Sequence, residues 1–169
     1  SECDYSQLAD LDNYSKKIVI DYEMFLETGD NNFQWLMPED EWDAISLGYI
    51  SGTTGNPKGV VSHHRGAYLL AQGNALIASM EKHSVYLWTL PMFHCNGWCF
   101  PWTMSVIIGT HVCLRQVRAE TIWNYMKKHK VTHLCGAPIV MSVILSLENK
   151  EKYKLEKQIN FFTAAAPPS

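Results

Sequence analysis

The sequence predicts an α/β fold, a largely parallel sheet with helices on both faces. Three observations carry this expectation. Short runs rich in β-branched and aromatic residues alternate with stretches of helical periodicity. The helical stretches are amphipathic or wholly apolar, as covers of a sheet must be. Several strands also end in loops rich in Gly, Pro and hydroxyl residues, the place where open parallel sheets bind ligands.

Taken in order, Lys17-Ile18-Val19-Ile20-Asp21 reads as a short strand, and 22–28 as a brief helix stopped by Gly29. The polar segment 29–43 reads as a surface connection pinned by Phe33, Trp35 and Leu36. A strand follows over 44–50, then a Gly/Thr loop, then a second strand over Val60-Val61-Ser62-His63. Residues 65–80 place Leu69, Leu70, Gly73, Leu76, Ile77 and Met80 at helical spacing. Residues 85–90 form the next strand, and the apolar run 98–108, with Pro101 near its start, fits a buried helix. Strand 111–114 precedes an amphipathic helix over 121–128, whose apolar face is Ile122, Tyr125 and Met126. After strand 131–135, Pro138 suits the first position of a helix that buries Val140, Val143, Ile144 and Leu147. A last strand covers 159–163. The loops after Ile50, Leu90 and Cys135 are expected to converge on one cleft.

Composition narrows the function. Of 169 residues, 47% are apolar, too many for a disordered chain. The formal charge of −3 comes with no basic stripe, which argues against a nucleic-acid partner. Lys127, Lys128 and Lys130 fall where a helix ends and complement its dipole. The five cysteines are irregularly spaced with no Cys-x-x-Cys pair, and read as reduced, mostly buried thiols of an intracellular, cytoplasmic protein. Peroxisomal or other organellar addresses stay open. No apolar run approaches the roughly 20 residues of a membrane span. Ser1 and Ser169 read as cut ends of an internal fragment.

The run Ser51-Gly52-Thr53-Thr54-Gly55-Asn56-Pro57-Lys58-Gly59 has what a polyphosphate loop requires. Gly52, Gly55 and Gly59 let backbone N–H groups approach closely, Ser51, Thr53 and Thr54 bring hydroxyl donors, and Lys58 brings a cation. A flexible surface turn explains any one of these residues but not their joint arrival. A Walker loop is disfavoured, because Lys58 is followed by strand-like Gly59-Val60-Val61 and not by Ser/Thr and a helix.

The segment Tyr49-Ile50-Ser51-Gly52-Thr53-Thr54-Gly55-Asn56-Pro57-Lys58-Gly59-Val60 closely resembles the signature loop of the AMP-binding (adenylate-forming) superfamily. Val61-Ser62-His63-His64-Arg65-Gly66-Ala67-Tyr68-Leu69 and Leu87-Trp88-Thr89-Leu90-Pro91-Met92-Phe93-His94-Cys95-Asn96-Gly97-Trp98 also resemble it. The second of these is most similar to the acyl-activating enzymes of plants and bacteria. Two departures stand out: Ile50 occupies a position usually held by Ser or Thr, and Thr163-Ala164-Ala165-Ala166-Pro167-Pro168 is poorer in glycine than usual.

The resemblance implies that residues 1–169 are part of the large N-terminal domain of such an enzyme. It implies ATP-dependent activation of a carboxylic (fatty) acid to an acyl-adenylate, then thioester formation with coenzyme A. ATP and Mg2+ serve the first step; Thr53 or Thr54 would meet the magnesium through ATP. Ala165, Ala166 and Pro167 would lie against the nucleotide, and His94 near the carboxylate. Trp98, Phe100 and Trp102 are candidates for walls of the acyl pocket, with core packing as the alternative. Gly136 and Ala137 either bring bare backbone to the acyl chain or form a plain strand-to-helix turn. His63, His64, Cys95 and Cys99 match no zinc spacing. The superfamily's magnesium-holding Glu, ribose-binding acid and C-terminal lysine are not in this sequence, which leads us to expect an inactive fragment. Two alternatives share these features: adenylation onto a carrier-protein thiol, and a nucleotide-binding pseudo-enzyme.

Overall fold

The computed structural model describes residues 20–51, 55–148 and 154–164, with side chains for all of these but Cys95 and Asn96. The chain divides into two compact units between Met37 and Pro38.

The described part of the first unit contains helix α1 (Tyr22–Glu27). Asp21 caps it: its Oδ1 accepts from the N–H groups of Glu23 and Met24 at 2.9 and 3.3 Å. Most of the strand expected over 17–21 lies outside the described residues. The expected anchors Phe33, Trp35 and Leu36 are exposed, Trp35 by 92%. Among the described residues of this unit there is no core for them to join, since α1 itself buries no residue.

The second unit contains two sheets. β1 (Ala44–Ile50) and β2 (Lys58–His63) form an antiparallel ribbon, with Ile50 opposite Lys58, Gly48 opposite Val60 and Ala44 opposite His63. These two strands thus stand apart from the largely parallel sheet that the sequence predicts. The connection over 51–57 is too short for a parallel return, which takes a dozen or more residues, and long enough for a hairpin.

The other sheet is wholly parallel, ordered β4–β3–β5–β6: β3 is Val85–Trp88, β4 Thr110–Cys113, β5 His133–Cys135 and β6 Asn160–Phe162. Its two faces follow the period of two. Tyr86, Trp88, Cys135 and Phe162 point to one side and pack with Met80, Phe100, Met104 and Ile107. Leu87, Val112, Leu134 and Phe161 point to the other and pack with Ile122, Met126, Val143 and Ile144. The first side is covered by α2 (His64–Ile77) and α4 (Phe100–Val106), the second by α5 (Ala119–Lys128) and α6 (Pro138–Leu145). The faces expected for α5 and α6 are the ones observed, except that Leu147 lies past the end of α6.

Of the apolar positions read at helical spacing over 65–80, Met80, just beyond α2, lies in the core, but the leucines and Ile77 do not. Ala67 and Ala71 are buried on α2, as is Ala78 just beyond it, while Leu69, Leu70, Leu76 and Ile77 are exposed. Both stripes are apolar and both repeat at helical spacing. The small-residue stripe is the inner one because it lets α2 lie close along α4, its principal helical neighbour. His63 is the N-cap of α2; its Nδ1 accepts from Gly66 N–H at 3.0 Å, which gives this histidine a structural role.

The run 98–108 is also not one helix. A short turn, α3 (Cys95–Trp98), and α4 are joined at Trp98 and Cys99, whose φ values of 53° and 63° are left-handed. Among the described cysteines only Cys135 is buried; Cys99 is half-buried and Cys113 exposed, against the expectation of mostly buried thiols.

The Tyr86 hydroxyl lies in the core with no hydrogen-bond partner satisfying it, beside the Cys135 thiol. Burial, reinforced by Cys135, pushes the phenol far above its ordinary range, and burial pushes Cys135 up to about 11. Cys135 is thus a protonated, unreactive thiol at neutral pH. Because its one polar neighbour is the weakly interacting Cys135 thiol, Tyr86→Phe is expected to leave stability within about 0.5 kcal/mol of the parent or to raise it. Chemical denaturation checks this, and a loss above about 1 kcal/mol would reveal a strong partner for the hydroxyl.

Candidate active site

The Gly/Thr loop is the turn of the β1–β2 ribbon. Gly52, Thr53 and Thr54 lie outside the described residues; Ser51, Gly55 and Lys58 frame them and are exposed. Gly55 has φ 118°, a conformation L side chains rarely adopt, and a Cβ there would meet nothing within 4 Å. The turn is therefore open on that side, with room for a ligand to approach its backbone. Lys58 begins β2 opposite Ile50, and no ion pair among the described residues engages its ammonium. This donor set fits an anionic polyphosphate: a cation, an exposed hydroxyl residue and accessible backbone on one turn.

His94 sits in the loop that leaves the carboxyl end of β3. Thr89 Oγ1 donates to Cys135 O at 2.6 Å and ties the base of this loop to β5. His94 N–H donates to Pro91 O at 3.2 Å, and Gly97 N–H donates to His94 O at 2.9 Å. Gly97, at φ 60°, lies so close to Trp88 that a Cβ would come within 2.9 Å of the indole. The loop is thus seated on Trp88, whose Nε1–H donates to His111 Nδ1 at 2.8 Å. His94 itself is exposed, and α3, which follows it, lies beside β1. The β3 loop and the ribbon are neighbours in this way.

An apolar cavity of about 160 Å³ opens beyond the carboxyl end of β6. Trp98, Phe100, Phe162 and Thr163 line it, with Asn74 and Ile77 of α2. The Thr163 hydroxyl is buried without a hydrogen-bond partner among the described residues, a condition that calls for an explanation in any core. Trp102 lines a different cavity, with His63, Leu70 and Cys99, so the three aromatics expected together are divided. Gly136 and Ala137 do not line the Trp98 cavity. A Cβ on Gly136 would lie 2.8 Å from Val140 Cβ, so its bare backbone serves the packing of α6 on β5. This is the turn reading of the Gly136-Ala137-Pro138 segment. Ala165, Ala166 and Pro167 lie outside the described residues.

Asn74 and Thr163 are the polar lining residues of this cavity, and sequence reasoning did not place them there. A signal for Asn74 was present: it is the polar member of the stripe Ala67, Ala71, Asn74, Ala78. The described residues hold no cluster of three or more His, Cys, Asp or Glu able to grip a metal ion. Among them, too, no helix is long and apolar enough to cross a membrane.

A doubly covered parallel sheet, flanked by a ribbon whose turn carries glycines, hydroxyls and one lysine, is the architecture of the large domain of adenylate-forming enzymes. The chain belongs to the AMP-binding enzyme family, which it matches over residues 4–169. It is 53% identical over 153 residues to the peroxisomal acetate/butyrate–CoA ligase AAE7 of Arabidopsis thaliana, covering 90% of this chain and 27% of that one. It is 49% identical to the acetate–CoA ligase CCL3 of Humulus lupulus, covering 89% and 27%. The fold is similar to the N-terminal domain of FACL13 from Mycobacterium tuberculosis, with a TM-score of 0.78 at 22% identity, covering 87% of this chain and 37% of that one. It is also similar to o-succinylbenzoate CoA synthetase from Bacillus subtilis in complex with an acyl-adenylate, with a TM-score of 0.73 at 22% identity, covering 88% and 38%. This chain thus spans only about a quarter of the length of these curated relatives.

Proposed function

We propose that the protein containing this chain is an acid–thiol ligase that joins a short carboxylic acid to coenzyme A at the expense of ATP. Membership of the AMP-binding family, with the phosphate-type loop at the ribbon turn, is the observation that carries this reading. Residues 1–169 then form part of the large domain.

A carboxylate is a poor electrophile because oxide would have to leave. In the first step its oxygen attacks the α-phosphorus of ATP, the bond to the bridging oxygen breaks, and pyrophosphate departs. In the second, a thiolate attacks the acyl carbon and AMP leaves with the oxygen it gained. Neither step needs a protein nucleophile, in accord with a Cys135 held as thiol. What the first step needs is stabilisation of charge on the phosphate oxygens. Lys58 supplies one positive charge, and Ser51, Gly52, Thr53, Thr54 and Gly55 supply hydroxyl and backbone donors. Magnesium, met through ATP by Thr53 or Thr54, would neutralise further charge. Ala165, Ala166 and Pro167 would lie against the nucleotide.

The acid is assigned to the Trp98 cavity. Its walls are apolar, its volume suits a small acyl group, and the partnerless Thr163 hydroxyl offers one polar contact. His94 is placed nearest the carboxylate. Gly136 and Ala137 act behind this cavity, through the seating of α6. Coenzyme A is favoured as acceptor over a carrier-protein thiol because the Arabidopsis and Humulus relatives are named for it. The protein is assigned to the cell interior, in cytoplasm or peroxisome.

The test is carboxylate-dependent exchange between ATP and pyrophosphate by the full-length protein, followed by thioester formation. Exchange is expected with acetate or butyrate and not without acid, and coenzyme A is expected to be consumed. No exchange with any acid would leave a nucleotide-binding pseudo-enzyme. Exchange without use of coenzyme A would point to a carrier-protein acceptor.

A further inference from the structure

Two adjacent non-glycine residues, Trp98 and Cys99, are left-handed, at φ 53° and 63°. Each such residue costs on the order of 1 kcal/mol or more and persists only where its surroundings hold it. The hold is visible. Asn74, on α2, donates from Nδ2 to Trp98 O at 2.9 Å and to Thr103 Oγ1 at 3.3 Å. Thr103, fully buried on α4, donates from Oγ1 to Cys99 O at 3.1 Å. One side chain thus links α2 to the carbonyl of the first strained residue, and through Thr103 to that of the second. Asn74 and Trp98 also share the 160 Å³ cavity.

We propose that Asn74 is a positioning residue for acid selection: its amide locks the α3–α4 joint and so fixes the Trp98 indole as a wall of the acid cavity. The proposal rests on the acid-activating function proposed for the full-length protein. An asparagine at this position is costly unless used, because it interrupts a stripe of alanines that would pack well without it. Both hydrogen bonds of its amide nitrogen lead to the joint. Without the amide, relaxation of the joint toward ordinary φ would swing the indole, altering the space for the acyl chain while leaving the ribbon turn untouched.

The experiment uses the full-length protein with Asn74→Ala and, because alanine removes volume as well as the donor, Asn74→Asp, which keeps the shape and loses the donor. Specificity constants are measured across straight-chain acids of increasing length, with the KM for ATP. Both variants are expected to change the ratio between short and longer acids by about three- to tenfold, the worth of one hydrogen bond, and to leave the ATP KM within about twofold. Trp98→Ala serves as the comparison and should disturb the same ratio. Adding Cys99→Gly to Asn74→Ala, which makes a left-handed residue cheap at the joint, should restore part of the parental preference. A second readout needs no turnover: the fluorine resonance of Trp98 in protein labelled with 5-fluorotryptophan, assigned through Trp98→Phe. It is expected to shift or broaden in both Asn74 variants.

Equal loss for all acids, or an unmoved Trp98 resonance in both variants, would overturn the proposal while leaving the ligase reading standing. A parent that shows no acid-dependent exchange would overturn that reading and the selectivity role together, with the fluorine signal still reporting whether Asn74 holds the indole.

Discussion

Lys58→Ala in the full-length protein is expected to slow acyl-adenylate formation about a hundredfold, equivalent to roughly 3 kcal/mol of transition-state stabilisation. Charge must gather on the phosphate oxygens as pyrophosphate departs, and Lys58 is the cation of the ribbon turn. It begins β2, held in register by pairing with Ile50, and its ammonium has no ion-pair partner among the described residues. It is therefore available to a ligand without first leaving another contact. Since the residue is exposed at the end of a strand, its loss should leave the melting temperature unchanged. Single-turnover quench measurements of acyl-AMP, run beside a thermal melt, separate the two effects. A rate within about threefold of the parent would remove Lys58 from the chemistry.

The second large effect is expected at Gly136. A Cβ at this position would lie 2.8 Å from Val140 Cβ and 2.9 Å from its Cγ2, and neither atom can retreat without moving α6. Gly136 N–H also donates to Phe162 O at 3.0 Å, at the strand end that leads to Thr163. Gly136→Val should therefore destabilise the domain by about 1–3 kcal/mol, the range for overpacked cores. For a domain of 150–250 residues this corresponds to a fall of about 2–4 °C in melting temperature per kcal/mol. The displaced strand end should weaken acid use more than ATP use. An unchanged melting temperature would show that α6 can shift freely, and the packing account of Gly136 would fail.

Much of this architecture was legible because it obeys strict periods. In the parallel sheet, Tyr86 and Trp88 face one way and Leu87 the other, as a strand requires. In α5, Ile122 and Met126 stand one turn apart, with Tyr125 beside them and Glu120, Asn124, Lys127 and Lys128 elsewhere, so its inner face was unambiguous. Ambiguity entered where two patterns competed. Helix α2 carries a leucine stripe and an alanine stripe, and hydrophobicity alone favours the leucines. Closeness to α4, a tertiary fact, decides for the alanines. The ribbon could have been deduced, since the loop between its strands is too short for a crossover. The broken helix at Trp98–Cys99 could not, because neither residue favours a left-handed backbone and the hold comes from Asn74, distant in sequence. Among the candidate site residues, residue chemistry singled out Lys58, and the family resemblance singled out His94. The cavity around Trp98 and Thr163 depends on which strand ends meet which helix, and no local pattern records that.

The division between ribbon and cavity carries a consequence for how such proteins diversify. On the assignment proposed above, the phosphates of ATP meet the β1–β2 turn, and the acid meets the end of α2, the α3–α4 joint and the end of β6. The two sets share no residue. Mutation can therefore explore one trait without taxing the other. After gene duplication, one copy can drift at Asn74, Ile77 or Trp98 and acquire a taste for a bulkier acid while its inherited hold on the phosphates of ATP stays intact. Selection would then act on the cavity lining as a nearly independent heritable module. A lineage built on this plan can radiate into many substrate niches through few substitutions, each viable on the way.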